Sequence, residues 1–140
     1  MIPRHATLAI GLLTCLSLAA CGPESGPWVA FDGGGFVVNY SAGLSAAFYG
    51  FNVKPLRRLP DGMVLEAEFE DPAGGKPIIV QEEVKGPSLR YSFRTPYLDG
   101  IEAKHPYRGE IHILEPVTHT RLASYSMTFT SQVDAAWLKK

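Results

Sequence analysis

Polar and apolar residues alternate along most of this chain with a period of two. Leu65, Ala67 and Phe69 interleave with Glu66, Glu68 and Glu70, and Leu89, Tyr91 and Phe93 interleave with Arg90, Ser92 and Arg94. Towards the C-terminus Ala123, Tyr125, Met127 and Phe129 alternate with Ser124, Ser126, Thr128 and Thr130. Successive side chains of a strand point to opposite faces, so each run has one side suited to a core and one suited to water. Four further runs, 36–40, 47–53, 78–84 and 107–114, are rich in β-branched and aromatic residues. The segments between them, such as 71–75 and 85–88, collect Gly, Pro, Asp and Ser and read as turns. No helical period extends beyond a single turn at 134–138.

Seven short strands in about 100 residues predict an all-β, antiparallel sandwich over 36–140. In layout it resembles the immunoglobulin and fibronectin type, without the Cys…Trp…Cys framework of antibody domains. A small closed barrel is the alternative arrangement. A sandwich by itself implies no function.

The first 20 residues follow another pattern. Met1-Ile2-Pro3-Arg4-His5 is mildly positive, and residues 6–20 are apolar or small throughout. That run is too short for a membrane-spanning helix, which needs about 20 residues, and it matches the apolar core of a signal peptide. It closes on Leu18-Ala19-Ala20-Cys21, which resembles the lipobox of bacterial lipoproteins. The resemblance implies cleavage before Cys21, a diacylglyceryl thioether on its sulfur and a third acyl chain on the new amino group. The expected partner is then a membrane, reached through the acyl chains on Cys21. Gly22 is not the Asp that resembles an inner-membrane retention signal, so the expected location is the outer membrane, facing the periplasm. Cys15 would leave with the signal peptide, so the mature chain would hold no cysteine pair.

Residues 21–35, with GPESGPWVAFDGGG after the cysteine, read as a lipidated tether. The Gly and Pro content disfavours both helix and a regular ladder. As a coil the tether would reach roughly 20 Å, and at most about 45 Å when extended. Trp28 and Phe31 stand out in it, suited either to the lipid headgroup level or to docking on the domain.

Composition narrows the function classes. The 140 residues carry 13 Lys and Arg against 14 Asp and Glu. Loss of Arg4 with the signal peptide leaves 12 against 14, which gives no pull toward nucleic acid. Gly43-Leu44-Ser45-Ala46-Ala47 departs from the G-x-S-x-G nucleophile elbow, because Ala47 stands where the second Gly is needed. Ser45 therefore reads as a polar loop serine, and no catalytic residue is expected.

His105, His112 and His119 remain in the mature part. Glu110 and His112 share a strand face at i, i+2, a spacing that places two ligand atoms side by side. A zinc centre would need others, from His105 or His119, and nothing in the sequence fixes them there. The expectation is three solvated histidines, no metal and no cofactor. Glu66, Glu68 and Glu70, like Glu82 and Glu83, invite a glycosidase reading. A solvated ladder neutralised by Arg90 and Arg94 requires fewer assumptions. Tyr97, Tyr107 and Trp137 are the candidate glycan contacts, since exposed rings stack on sugar faces. The sequence thus leads to a non-enzymatic, membrane-anchored envelope lipoprotein with a structural, assembly or protein-interaction role. A glycan or peptidoglycan-binding module is the alternative, and a small envelope enzyme is third.

Overall fold

The computed structural model describes residues 26–41 and 44–132. In chain order the strands are β1 (Val29–Ser41), β2 (Leu44–Pro55), β3 (Val64–Phe69), β4 (Ile78–Glu83), β5 (Tyr91–Arg94), β6 (Pro106–Leu114) and β7 (Arg121–Thr130). Every ladder between them is antiparallel. They form a three-stranded sheet, β1-β2-β5, and a four-stranded sheet, β4-β3-β6-β7. The fold is therefore the immunoglobulin-like β-sandwich that the alternation predicts, and not a closed barrel.

Between the sheets lies a core dominated by rings. Phe51 lies parallel to Phe129, with centroids 6.0 Å apart, and meets Phe69 at 5.1 Å. Tyr49 stacks on Phe36 at 4.7 Å and takes Phe69 edge-on at 5.2 Å. Offset and edge-on contacts of this kind suit the charge distribution of aromatic rings. The Phe129 ring is received between two glycines. A Cβ on Gly34 would stand 2.6 Å from one ring carbon, and one on Gly109 would stand 2.7 Å from another. Of the rings expected inside, Phe69, Tyr91 and Phe129 are buried. Tyr125 is half-buried against the core, and its hydroxyl accepts a hydrogen bond from the Trp28 amide at 2.9 Å.

β1 corrects the expected tether. It begins at Val29, seven positions before Phe36, so the part of 21–35 from Val29 onward is strand. The glycines are accommodated by a bulge, because the register shifts by one residue between Phe31 and Gly34. Asp32 projects from this bulge and pairs with Arg90, accepting from Nε at 3.0 Å and Nη2 at 2.6 Å. Trp28 and Phe31 dock on the domain. The Arg57 guanidinium lies 3.4 Å over the Trp28 ring, and Phe31 packs edge-on against Phe51 at 5.1 Å. The signal segment 1–20, Cys21 and the 134–138 turn lie outside the described residues.

Leu89 is a second correction. Its parity groups it with the inward-facing Tyr91 and Phe93, yet it is 93% exposed, because β5 starts only at Tyr91 and Leu89 belongs to the preceding loop.

Candidate functional site

Among the described residues, the outer face of each sheet carries a place that gathers chemistry. On the three-stranded sheet, β2 sends Ala47, Tyr49, Phe51 and Val53 inward, which leaves Phe48, Gly50 and Asn52 facing out. Gly50 sits opposite Gly35 on β1 and opposite Arg94 on β5. Two neighbouring strands therefore lack a side chain at the same level, and the sheet is hollowed into a groove of about 530 Å³. Gly50 is required there, because a Cβ would stand 2.3 Å from the Phe93 carbonyl oxygen, a backbone atom that cannot swing away. Asn52 and Ser92 flank the hollow, joined by a 2.6 Å hydrogen bond from the serine hydroxyl to the amide oxygen. On the opposite flank the Arg94 guanidinium lies 5.0 Å from the Phe48 ring centroid. Tyr97 meets Phe48 edge-on at 5.9 Å and is 61% exposed. An amphipathic aromatic rim with one cation and two amide- or hydroxyl-bearing side chains can grip a flat, polar ligand or a peptide segment.

The three expected glycan contacts separate. Tyr97 stands beside the groove, against the Phe48 ring that lines it. Tyr107 is buried, near the start of β6, and its hydroxyl accepts the Glu102 amide at 2.8 Å, five residues upstream. This is the corner tyrosine of sandwich domains, which braces a chain reversal from inside; it is not available to a ligand. Trp137 lies outside the described residues. Ser45 is in β2, opposite Tyr40, so its backbone is part of a ladder and not of the strand-to-helix turn a nucleophile elbow uses.

On the four-stranded sheet the expected carboxylate–arginine ladder does not form. β3 and β5 belong to different sheets, so Arg90 and Arg94 stand away from Glu66, Glu68 and Glu70. The glutamates instead meet β6. Glu68 is directly opposite Glu110, Glu66 is directly opposite His112, and His112 is opposite Ser124 of β7. Far from being solvated, His112 is fully buried on this outer face. Its Nε2 lies 3.2 Å from Glu68 Oε2 and 3.3 Å from Glu110 Oε2, while Nδ1 lies 2.8 Å from Ser124 Oγ. The other oxygen of Glu110 is held by Arg108. A cavity of about 220 Å³ opens beside the two carboxylates, bordered also by Glu70, Pro77 and Arg108. Neither of the other histidines joins the group. His105 lies 3.7 Å from Glu70, and His119 sits in the β6–β7 turn with a left-handed backbone at φ 54°.

The pairing of Glu110 with His112 is legible as i, i+2 spacing; the third member is not. Glu68 has the right parity, but only the β3–β6 register brings it to the histidine.

Burial drives the Tyr49 hydroxyl well above its ordinary range, with Glu70 and Asp71 adding to the shift. That hydroxyl donates to the Glu70 carbonyl oxygen, which keeps it protonated and inside. Burial also raises Tyr91, and Glu82 adds to it. In the β6–β7 turn, hydrogen bonds from Thr118 hold the Glu115 carboxyl below its usual value, helped by the Val117 amide.

No protein-family model, no curated protein and no solved structure matches this chain.

Proposed function

We propose that this chain is a lipid-anchored lipoprotein of the bacterial cell envelope, held by acyl chains on Cys21 in the outer membrane and facing the periplasm. Its sandwich serves a non-enzymatic, protein-interaction role, with the glycine-floored groove of the β1-β2-β5 sheet as the contact surface. The observation that carries this reading is the polarity of the sandwich. The chain enters β1 at Val29, opposite Pro55 at the far end of β2, whereas Phe48 lies seven positions earlier in β2. At about 3.3 Å per residue, the Phe48–Arg94–Tyr97 rim stands roughly 23 Å from the entry point. Only seven residues separate Cys21 from Val29, a span of at most about 29 Å. An anchor at Cys21 attaches at the end of the sandwich where β1 begins, and the aromatic rim lies toward the other end.

A photo-crosslinking residue at Asn52 in the full-length envelope protein tests the surface. One discrete protein adduct is expected, lost on Arg94→Glu and absent when the crosslinker replaces exposed Lys76. Equal adducts from both positions would remove the groove from the account.

The exposed ring of Tyr97 favours a second reading, recognition of an envelope glycan. It requires co-sedimentation with isolated cell-wall glycan that Tyr97→Ala abolishes.

A further inference from the structure

We infer that Glu68, Glu110 and His112 form a binding site for a divalent transition-metal ion on the outer face of the β4-β3-β6-β7 sheet. The inference stands apart from the groove and from the anchor.

Electrostatics makes the first argument. Glu68 and Glu110 are directly opposed across the β3–β6 ladder, and like charges in that position destabilise a sheet. Arg108 holds one oxygen of Glu110. Among the described residues, Glu68 has no Lys or Arg partner, and its one ion-pair contact is His112. Both carboxylates turn an oxygen toward the same atom, Nε2 of His112. An imidazole nitrogen carries at most one hydrogen, so two acceptors converge on one donor. A divalent cation at the point of convergence would serve both oxygens and remove their repulsion.

Geometry makes the second. The contacts of 3.2 and 3.3 Å from Nε2 are long for charge-assisted hydrogen bonds, which run about 2.7–2.9 Å. They fit the edges of a coordination polyhedron. With metal–ligand bonds of about 2.0–2.2 Å, neighbouring ligand atoms stand about 3–3.5 Å apart. The three donor atoms all lie within 4.8 Å of one another. Arg108 leaves Glu110 a single free oxygen, which makes it a monodentate ligand.

The surroundings supply what such a centre needs. Ser124 Oγ, 2.8 Å from Nδ1, accepts the ring hydrogen once it resides on that nitrogen. The Nε2 lone pair is then free for the metal, the usual arrangement behind a ligating histidine. His112 is fully buried, and the Ser124 contact orients its ring. The open side faces the cavity of about 220 Å³ that Glu68 and Glu110 border, and water can complete the shell from there. One imidazole with two carboxylates suits Zn²⁺, Mn²⁺, Fe²⁺ or Co²⁺ better than Ca²⁺ or Mg²⁺, which prefer all-oxygen sets.

The test uses the full-length protein in detergent, stripped with chelator and titrated with Zn²⁺ alone. One ion per chain is expected, with affinity at least tenfold weaker in Glu68→Gln and in Glu110→Gln. His105→Ala and His119→Ala should leave affinity unchanged. Circular dichroism of the metal-free variants checks that the glutamine substitutions keep the fold. If they do not, nitrogen NMR of the wild-type imidazoles decides, because Zn²⁺ must move the His112 Nε2 resonance and leave Nδ1 protonated. Absence of Zn²⁺ binding up to about 1 mM, a binding free energy of only about −4 kcal/mol, overturns the inference. So does binding that survives both glutamine substitutions, or an unmoved Nε2 resonance.

Discussion

Truncating Phe69 to Ala probes the sandwich where its two sheets meet. The side chain is fully buried and touches Tyr49 at 5.2 Å and Phe51 at 5.1 Å between ring centroids. A buried Phe→Ala change costs about 3–5 kcal/mol, more when the surroundings cannot close the void. Here they cannot. Tyr49 is tied by its hydroxyl to the Glu70 carbonyl, and Phe51 is stacked against Phe129, itself lodged between Gly34 and Gly109. The expected loss is therefore in the upper part of that range, about 4–5 kcal/mol, out of a total of about 5–15 kcal/mol for a domain. With a urea m-value of about 2 kcal/mol per molar, the midpoint should fall by about 2 M at unchanged m. Arg90→Ala is the control. Its ion pair with Asp32 is solvent-exposed, 57% on the arginine side, and should cost under about 1 kcal/mol. A Phe69→Ala loss no greater than that of Arg90→Ala would mean that the face assigned to the core is wrong by one register step.

Gly50→Ala should drive β5 from β2, because the new Cβ meets the Phe93 carbonyl oxygen; a loss of more than about 2 kcal/mol in denaturant melts is expected, and a neutral result would reject the tight β2–β5 approach. Tyr107→Phe keeps the ring but orphans the Glu102 amide, so calorimetry should show a loss of about 1–2 kcal/mol, against no loss if the hydroxyl were idle. Tyr49 makes alkaline pH destabilising. Its folded pKa lies above the ordinary 10.0, so its contribution is complete below pH 10 and is lost as pH rises beyond it. The slope is up to about 1.4 kcal/mol per pH unit. Melts from pH 9 to 11 should show this slope in wild type and less of it in Tyr49→Phe; equal slopes would assign the alkaline loss elsewhere.

The sequence makes the strands legible because period-two alternation survives wherever a sheet has one face on the core. Leu65, Ala67 and Phe69 are inward as their alternation says, and each of the seven strands overlaps a β-rich run, although β1 begins at Val29, seven positions before the run at 36–40, and β5 begins only at Tyr91. Gly33, Gly34 and Gly35 misled, since a glycine run reads as a joint when it is in fact a bulge plus a close approach of Phe129. Tyr107 misled for another reason: alternation gives its face but not that its hydroxyl has a backbone partner five residues back. The acid–histidine cluster is the least legible feature. Its parity is readable on both strands, but joining Glu68 to His112 requires the sheet order β3-β6, which no local pattern encodes. Alternation alone places Glu68 in a solvated ladder of carboxylates. Its contact with a buried imidazole makes it a supporting side chain.

The anchor is tested most directly by the intact mass of the full-length gene product, recovered from membranes of a bacterium that expresses it. The account predicts a chain that begins at Cys21, carries the added mass of two or three acyl chains, and partitions into detergent, with Cys21→Ser accumulating as an unlipidated precursor. A mature protein that retains residues 1–20, or one whose Cys21 carries no added mass, would contradict it.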